Sequence, residues 1–67
     1  MDIAAKFGKR VRKIRLNKEL SQGRLAKRMG VNPAYISQIE RGVQNVSLRG
    51  MEKLAKALDV PVKELLG

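Results

Sequence analysis

Gly30 divides the stretch from Ser21 to Arg41, SQGRLAKRMGVNPAYISQIER, into two short segments, and the apolar spacing on either side limits how they can fold. Before it, Leu25, Ala26 and Met29 recur at helical intervals and make one apolar stripe. After it, Asn32 and Pro33 open a second segment whose inward residues are Ile36 and Ile39. Asn32 is a good N-cap, and Pro33 suits the first helical turn, where its missing N–H costs nothing. The turn needs a residue that tolerates positive φ, and glycine does. Ala26 is small enough for the second helix to press against the first. The stretch is predicted to form two short helices crossing closely about a tight turn.

The rest of the chain reads as helix too. A first helix is expected from about Ile3 to Asn17, with Ala4, Phe7, Val11 and Ile14 on its inner face. The second and third run from about Gln22 to Met29 and Pro33 to Glu40, with Ser21 and Asn32 as caps. A loop from Arg41 to Val46 follows, with Gly42 just past the helix end. The fourth helix is expected from about Leu48 to Leu58, capped by Ser47, and a short fifth from about Val62 to Leu66, opened by Pro61. No segment alternates as a strand should. The expected core is Phe7, Val11, Ile14, Leu20, Leu25, Ala26, Met29, Val31, Ile36, Ile39, Val46, Leu48, Met51, Leu54, Ala55, Leu58 and Leu65. Sixty-seven residues make one all-α domain, residues 1–67, of modest stability.

Composition removes whole classes of chemistry. There is no cysteine and no histidine, hence no disulfide, thiolate metal site or imidazole base. Neither paired carboxylates nor a phosphate-binding glycine loop is evident, so no enzyme, metal or cofactor is expected. No run approaches the ~18 apolar residues of a membrane span, and no secretory signal is visible, so a cytoplasmic location is expected. The net charge is +9, and it is uneven. Residues 1–28 hold ten basic and two acidic side chains, residues 29–67 five and four. Two helices about a tight turn make a helix-turn-helix, whose second helix fits a DNA major groove, and the charge points to the same polyanion. Phosphate contacts are expected from some of Lys9, Arg10, Arg24, Lys27 and Arg28, and not from Lys53, Lys56 or Lys63.

The stretch LSQGRLAKRMGVNPAYISQIERG, with FGKRVRKIR before it and NVSLRGMEKLAKALDVPVKELL after it, resembles the phage-repressor and Cro-like family of bacterial transcription regulators. The ending is similar in particular to the controller proteins of restriction–modification systems. The resemblance implies five helices, double-stranded DNA as partner, a homodimer on a near-palindromic operator, and RNA polymerase as a further partner. It implies that Gln22 binds a phosphate and braces the recognition helix, and that Pro33, Ala34, Ser37 and Gln38 face the groove. Tyr35 matches a position touching backbone or flanking bases, and Gln44 and Asn45 a loop approaching phosphates. Arg24 and Asn32 complete the DNA-facing set. Arg15 and Glu40 match an ion pair tying the first helix to the end of the third.

Taken by themselves, these residues leave alternatives open. Gln38 both donates and accepts, so it suits a bidentate contact to adenine, or it is an exposed helix glutamine. Ser37 can donate to a base or a phosphate. Pro33 and Ala34 offer only apolar contact, which favours reading through DNA shape. Tyr35 fills the core edge, contacts DNA, or does both. Arg15–Glu40 is a surface pair worth little or an enclosed one that matters. Glu19 stands where the family often has glycine, and Gly50 lies inside a helix at about 1 kcal/mol relative to alanine. Family members that activate through acidic residues on the second helix differ here, where Gly23 and Lys27 stand. Val60, Val62, Leu65 and Leu66 exceed the needs of one small core, so the end of the fourth helix and the fifth are expected to form the dimer contact. Two other readings are an antitoxin-type interaction module and a binder of nucleic acid by charge alone; a membrane-surface helix is weaker.

Overall fold

The computed structural model describes residues 2–67 and holds five helices: α1 (Ile3–Asn17), α2 (Gln22–Met29), α3 (Pro33–Glu40), α4 (Leu48–Leu58) and α5 (Val62–Leu66). No strand occurs among the described residues, and no helix is long and apolar enough to cross a membrane. The caps explain why the helices start where they do. Ser21 Oγ accepts the Arg24 N–H, Asn32 Oδ1 the Ala34 N–H, and Ser47 Oγ the Gly50 N–H. Asp2 likewise caps α1, its Oδ1 accepting from the Ala4 and Ala5 N–H groups.

The first four helices end alike. One residue turns left-handed and the next donates back over the last turn: Leu20 to Arg15 O, Val31 to Ala26 O, Val43 to Gln38 O and Val60 to Ala55 O. The left-handed residues are Glu19, Gly30, Gly42 and Asp59. Glu19, at φ 56°, therefore does stand in a glycine position, and the strain amounts to about 1 kcal/mol. Aspartate tolerates this conformation better, so Asp59 ends α4 with less strain.

The buried centre is Val11, Ile14, Leu20, Leu25, Ala26, Met29, Ile36, Ile39, Leu54, Ala55, Leu58 and Leu65. Phe7, Val31 and Val46 pack against it half-buried, and Met51 is half-buried too. Leu48 departs from expectation: it is 83% exposed at the first position of α4, where no preceding helical turn packs against it. Leu65 is no surplus residue either. It is fully enclosed, and Val60 and Val62 lean on the core, so only Leu66 of the four proposed contact residues is free at the surface.

α1 packs on α3 and α5, while α2 packs on α3 and α4. The α1–α3 contact is close because Gly8 is buried against the end of α3. A Cβ there would run into the Ile39 carbonyl oxygen and lie 2.8 Å from that of Glu40. Gly42, at φ 77°, sits against the backbone of Ala5, where a Cβ would come within 2.6 Å of its Cα. Both ends of this contact are thus backbone on backbone, which fixes α3 relative to α1 with little play.

Candidate nucleic-acid interface

At the root of α3 lies an enclosed polar network. Glu40 is 8% exposed and Arg15 6%. Arg15 Nε donates to Glu40 Oε2 at 2.6 Å and Nη2 to Oε1 at 3.0 Å, a two-pronged pair. Arg15 Nη1 donates to the Leu20 carbonyl at 2.7 Å. Gln22 Nε2 donates to Glu40 Oε1 at 3.1 Å. No buried side-chain polar atom among the described residues lacks a partner. One carboxylate therefore joins α1, the start of α2 and the end of α3. The second amide hydrogen of Gln22 remains available to an acceptor beside α3.

The free side of α3 carries the other residues singled out from the sequence. Pro33, Ala34 and Gln38 are exposed, and Ser37 is half-buried. Asn32 is exposed, but its side-chain oxygen is occupied in capping, which leaves its amide N–H groups to donate. Tyr35 is half-buried, and its ring leans on the core. Its hydroxyl lies 3.7 Å from where a Cβ of Gly50 would sit. An alanine at Gly50 would also come within 2.9 Å of Val46 Cγ1. The glycine inside α4 thus makes room for neighbours, which its helix propensity alone does not reveal.

Arg24 is exposed one turn into α2. Gln44 and Asn45 are positioned differently. Gln44 Nε2 donates to the Asn45 carbonyl, and both residues line an apolar groove with Ile3, Phe7, Val46, Met51 and Leu66. The loop therefore starts beside Gln38, through the Val43 N–H to Gln38 O bond, and ends on a different, apolar surface. Ile3 at 80% and Leu66 at 63% are exposed on that surface, and Leu48 at 83% lines the adjoining groove.

Two of the cations expected to meet phosphates are engaged within the fold. Arg10 Nε donates to the Glu64 carbonyl at 2.8 Å, and Arg28 Nη1 to the Ala57 carbonyl at 3.0 Å. Each places a positive charge near the C-terminal end of a neighbouring helix, where carbonyls lack partners and the dipole is negative. Nothing in local sequence signals these contacts. Gly8 did leave a signal, since a glycine inside an amphipathic helix is unfavourable unless another backbone comes close.

The sequence profile of the helix-turn-helix family matches residues 11–65. The chain is 52% identical over 61 residues to control protein C.BamHI of Bacillus amyloliquefaciens, covering 90% of this chain and 75% of that protein. It is similar in structure to the restriction–modification controller protein C.AhdI of Aeromonas hydrophila, with TM-score 0.89 and 47% identity over 92% of this chain and 94% of that one. The restriction–modification controller C.Esp1396I, solved as a tetramer in complex with its natural 35 base-pair operator, matches with TM-score 0.84 and 31% identity, covering 100% of this chain and 99% of that one.

Proposed function

The chain belongs to the helix-turn-helix family of Cro/C1-type DNA-binding transcription regulators, and from that premise we propose that it is a restriction–modification controller acting as a homodimer on a near-palindromic operator. It would block or assist RNA polymerase there. The observation that carries this reading is the mounting of α3. Its outer face presents Gln38 to solvent, while its inner end is clamped by the buried Arg15–Glu40–Gln22 network. A helix held this firmly can present a fixed pattern of donors and acceptors to base edges, and that is what sequence-specific reading requires. In this reading Gln22 and Arg24 position the protein on phosphates. Asn32, Tyr35 and the start of the Gln44–Asn45 loop flank the groove, and Pro33, Ala34, Ser37 and Gln38 face it.

Selection of binding sites from random DNA tests the function directly. It should return a two-fold site whose half-sites lie about one helical turn apart. On that site, Gln38→Ala should lose about 1–3 kcal/mol at a single base pair and little at the others. Equal loss on the selected site and on random duplex would make Gln38 a backbone contact.

The exposed apolar side chains Ile3, Leu48 and Leu66 support the homodimer. They border two adjoining grooves that share Met51 and Leu66. Exposed apolar area gathered in one place favours burial against a second copy. Leu48→Glu and Leu66→Glu should each convert a sedimenting dimer to monomer without melting the helices, and should weaken operator binding. A parent protein that sediments as a monomer at micromolar concentration, with and without operator, would rule this arrangement out.

A further inference from the structure

We propose that Lys27, Arg28, Lys53 and Lys56 continue the Arg24 phosphate contact into a five-cation track between α2 and α4 that holds DNA beyond the operator half-site. The inference rests on the DNA-binding reading above. It departs from the sequence expectation, which set Lys53 and Lys56 aside with the nearly neutral C-terminal half.

The fold brings the two sets together. Arg28, Lys53 and Lys56 line one groove with Met29 and Ala57, and Arg28 lines the next with Arg24 and Lys27. All five cations are exposed. Among the described residues the only ion pair is Arg15–Glu40, so none of the five has a carboxylate within salt-bridge distance. Glu52, the acidic residue next to Lys53, lines a separate groove with Leu48 and Leu66. Arg28 is anchored by its bond to the Ala57 carbonyl and keeps its other N–H donors free. An anchored guanidinium with lysines lining the same grooves suits a row of phosphates.

Position decides for DNA over an acidic protein. The Tyr35 hydroxyl approaches α4 at Gly50, 3.7 Å from where a Cβ would sit, and Lys53 follows about one turn later on the same side of α4. The track therefore begins beside the N-terminal turn of the recognition helix and leads away from it. Its only apolar lining is Met29, already in the core, and half-buried Ala57. Three of the five residues lining this groove are cations, whereas the centre of a protein interface is depleted of charge.

The test uses the full chain and a duplex selected by it from random DNA. One version is trimmed to the selected site, and the other is extended by about ten base pairs, one helical turn, on each side. The parent should show a steeper dependence of log affinity on log salt with the extended duplex. Lys53→Gln/Lys56→Gln should flatten that slope by roughly two units, at about 0.9 per phosphate contact. The same variant should leave the trimmed duplex unchanged, and Lys63→Gln should alter neither. Equal slopes for the parent on both duplexes would overturn the proposal and leave the face to an acidic protein. An equal loss on both duplexes would also overturn it, by placing these lysines on the operator itself. Failure to select any duplex would remove the DNA-binding reading and the track with it.

Discussion

Glu40→Ala should leave the protein largely unfolded at room temperature. The carboxylate is almost wholly enclosed and accepts from Arg15 at 2.6 and 3.0 Å and from Gln22 at 3.1 Å. Its removal strands a guanidinium that is itself buried, with only the Leu20 carbonyl as partner. Breaking one side of such a pair costs about 3–5 kcal/mol, because the surviving charge has lost both water and its counter-charge. A domain of this size rarely has more than about 3–5 kcal/mol to lose. Helical circular dichroism during urea titration would measure the effect. The double variant Arg15→Met/Glu40→Leu should recover most of the loss, since neither charge then remains to be solvated. A single-variant loss under about 1 kcal/mol is what an exposed pair would give, and it would refute this account. Recovery of stability should not restore sequence-specific binding. Gln22 loses its brace in the double variant, and α3 its polar tie to α2.

The helices were legible because their signals are local. Ser21, Asn32 and Ser47 mark three starts, and Gly30 and Gly42 mark two ends, each through the chemistry of a single residue. The inner stripes followed from period alone, and they correctly separated Val11, Ile36 and Leu54 from their polar neighbours. Leu48 shows where period stops being informative. In the first turn of a helix, one leucine without a preceding turn does not define a face, and only tertiary placement tells whether it points in or out. Leu65 and Leu66 are adjacent and chemically identical, yet one is enclosed and the other 63% exposed. Their difference is set by how α5 lies on α1 and α4. The contacts Arg10 to Glu64 O and Arg28 to Ala57 O were not legible, since each joins residues far apart in sequence through a backbone carbonyl. A carbonyl carries no side-chain identity for a sequence pattern to show. The Arg15–Glu40 pair, its partial enclosure and a bracing role for Gln22 are implied by the family resemblance; the bond from Gln22 to Glu40 itself and the Leu20 carbonyl as a further partner come only from the structure.

Gly8→Ala should destabilise the fold by about 2–3 kcal/mol, although alanine is the better helix former by about 1 kcal/mol. The new methyl would collide with the carbonyl oxygen of Ile39 and lie 2.8 Å from that of Glu40. A side chain can change rotamer to relieve a clash, but these are helix backbone atoms held by their own hydrogen bonds. Relief therefore requires α1 to move away from α3 as a unit. That motion acts on the same end of α3 where Glu40 meets Arg15, so it should stretch the ion pair and loosen the recognition helix together. Gly23→Ala supplies the control. Gly23 lies in the first turn of α2, where a Cβ would meet nothing nearer than Ser21 Oγ at 3.9 Å, so the same substitution should stabilise slightly there. Opposite signs in urea titration are the expected result. Equal or stabilising effects at both glycines would mean that α1 and α3 do not approach backbone to backbone. In the folded fraction of Gly8→Ala, affinity for a selected operator should fall more than affinity for random DNA. Phosphate contacts tolerate a shifted helix, whereas base contacts depend on where α3 sits relative to the rest of the fold.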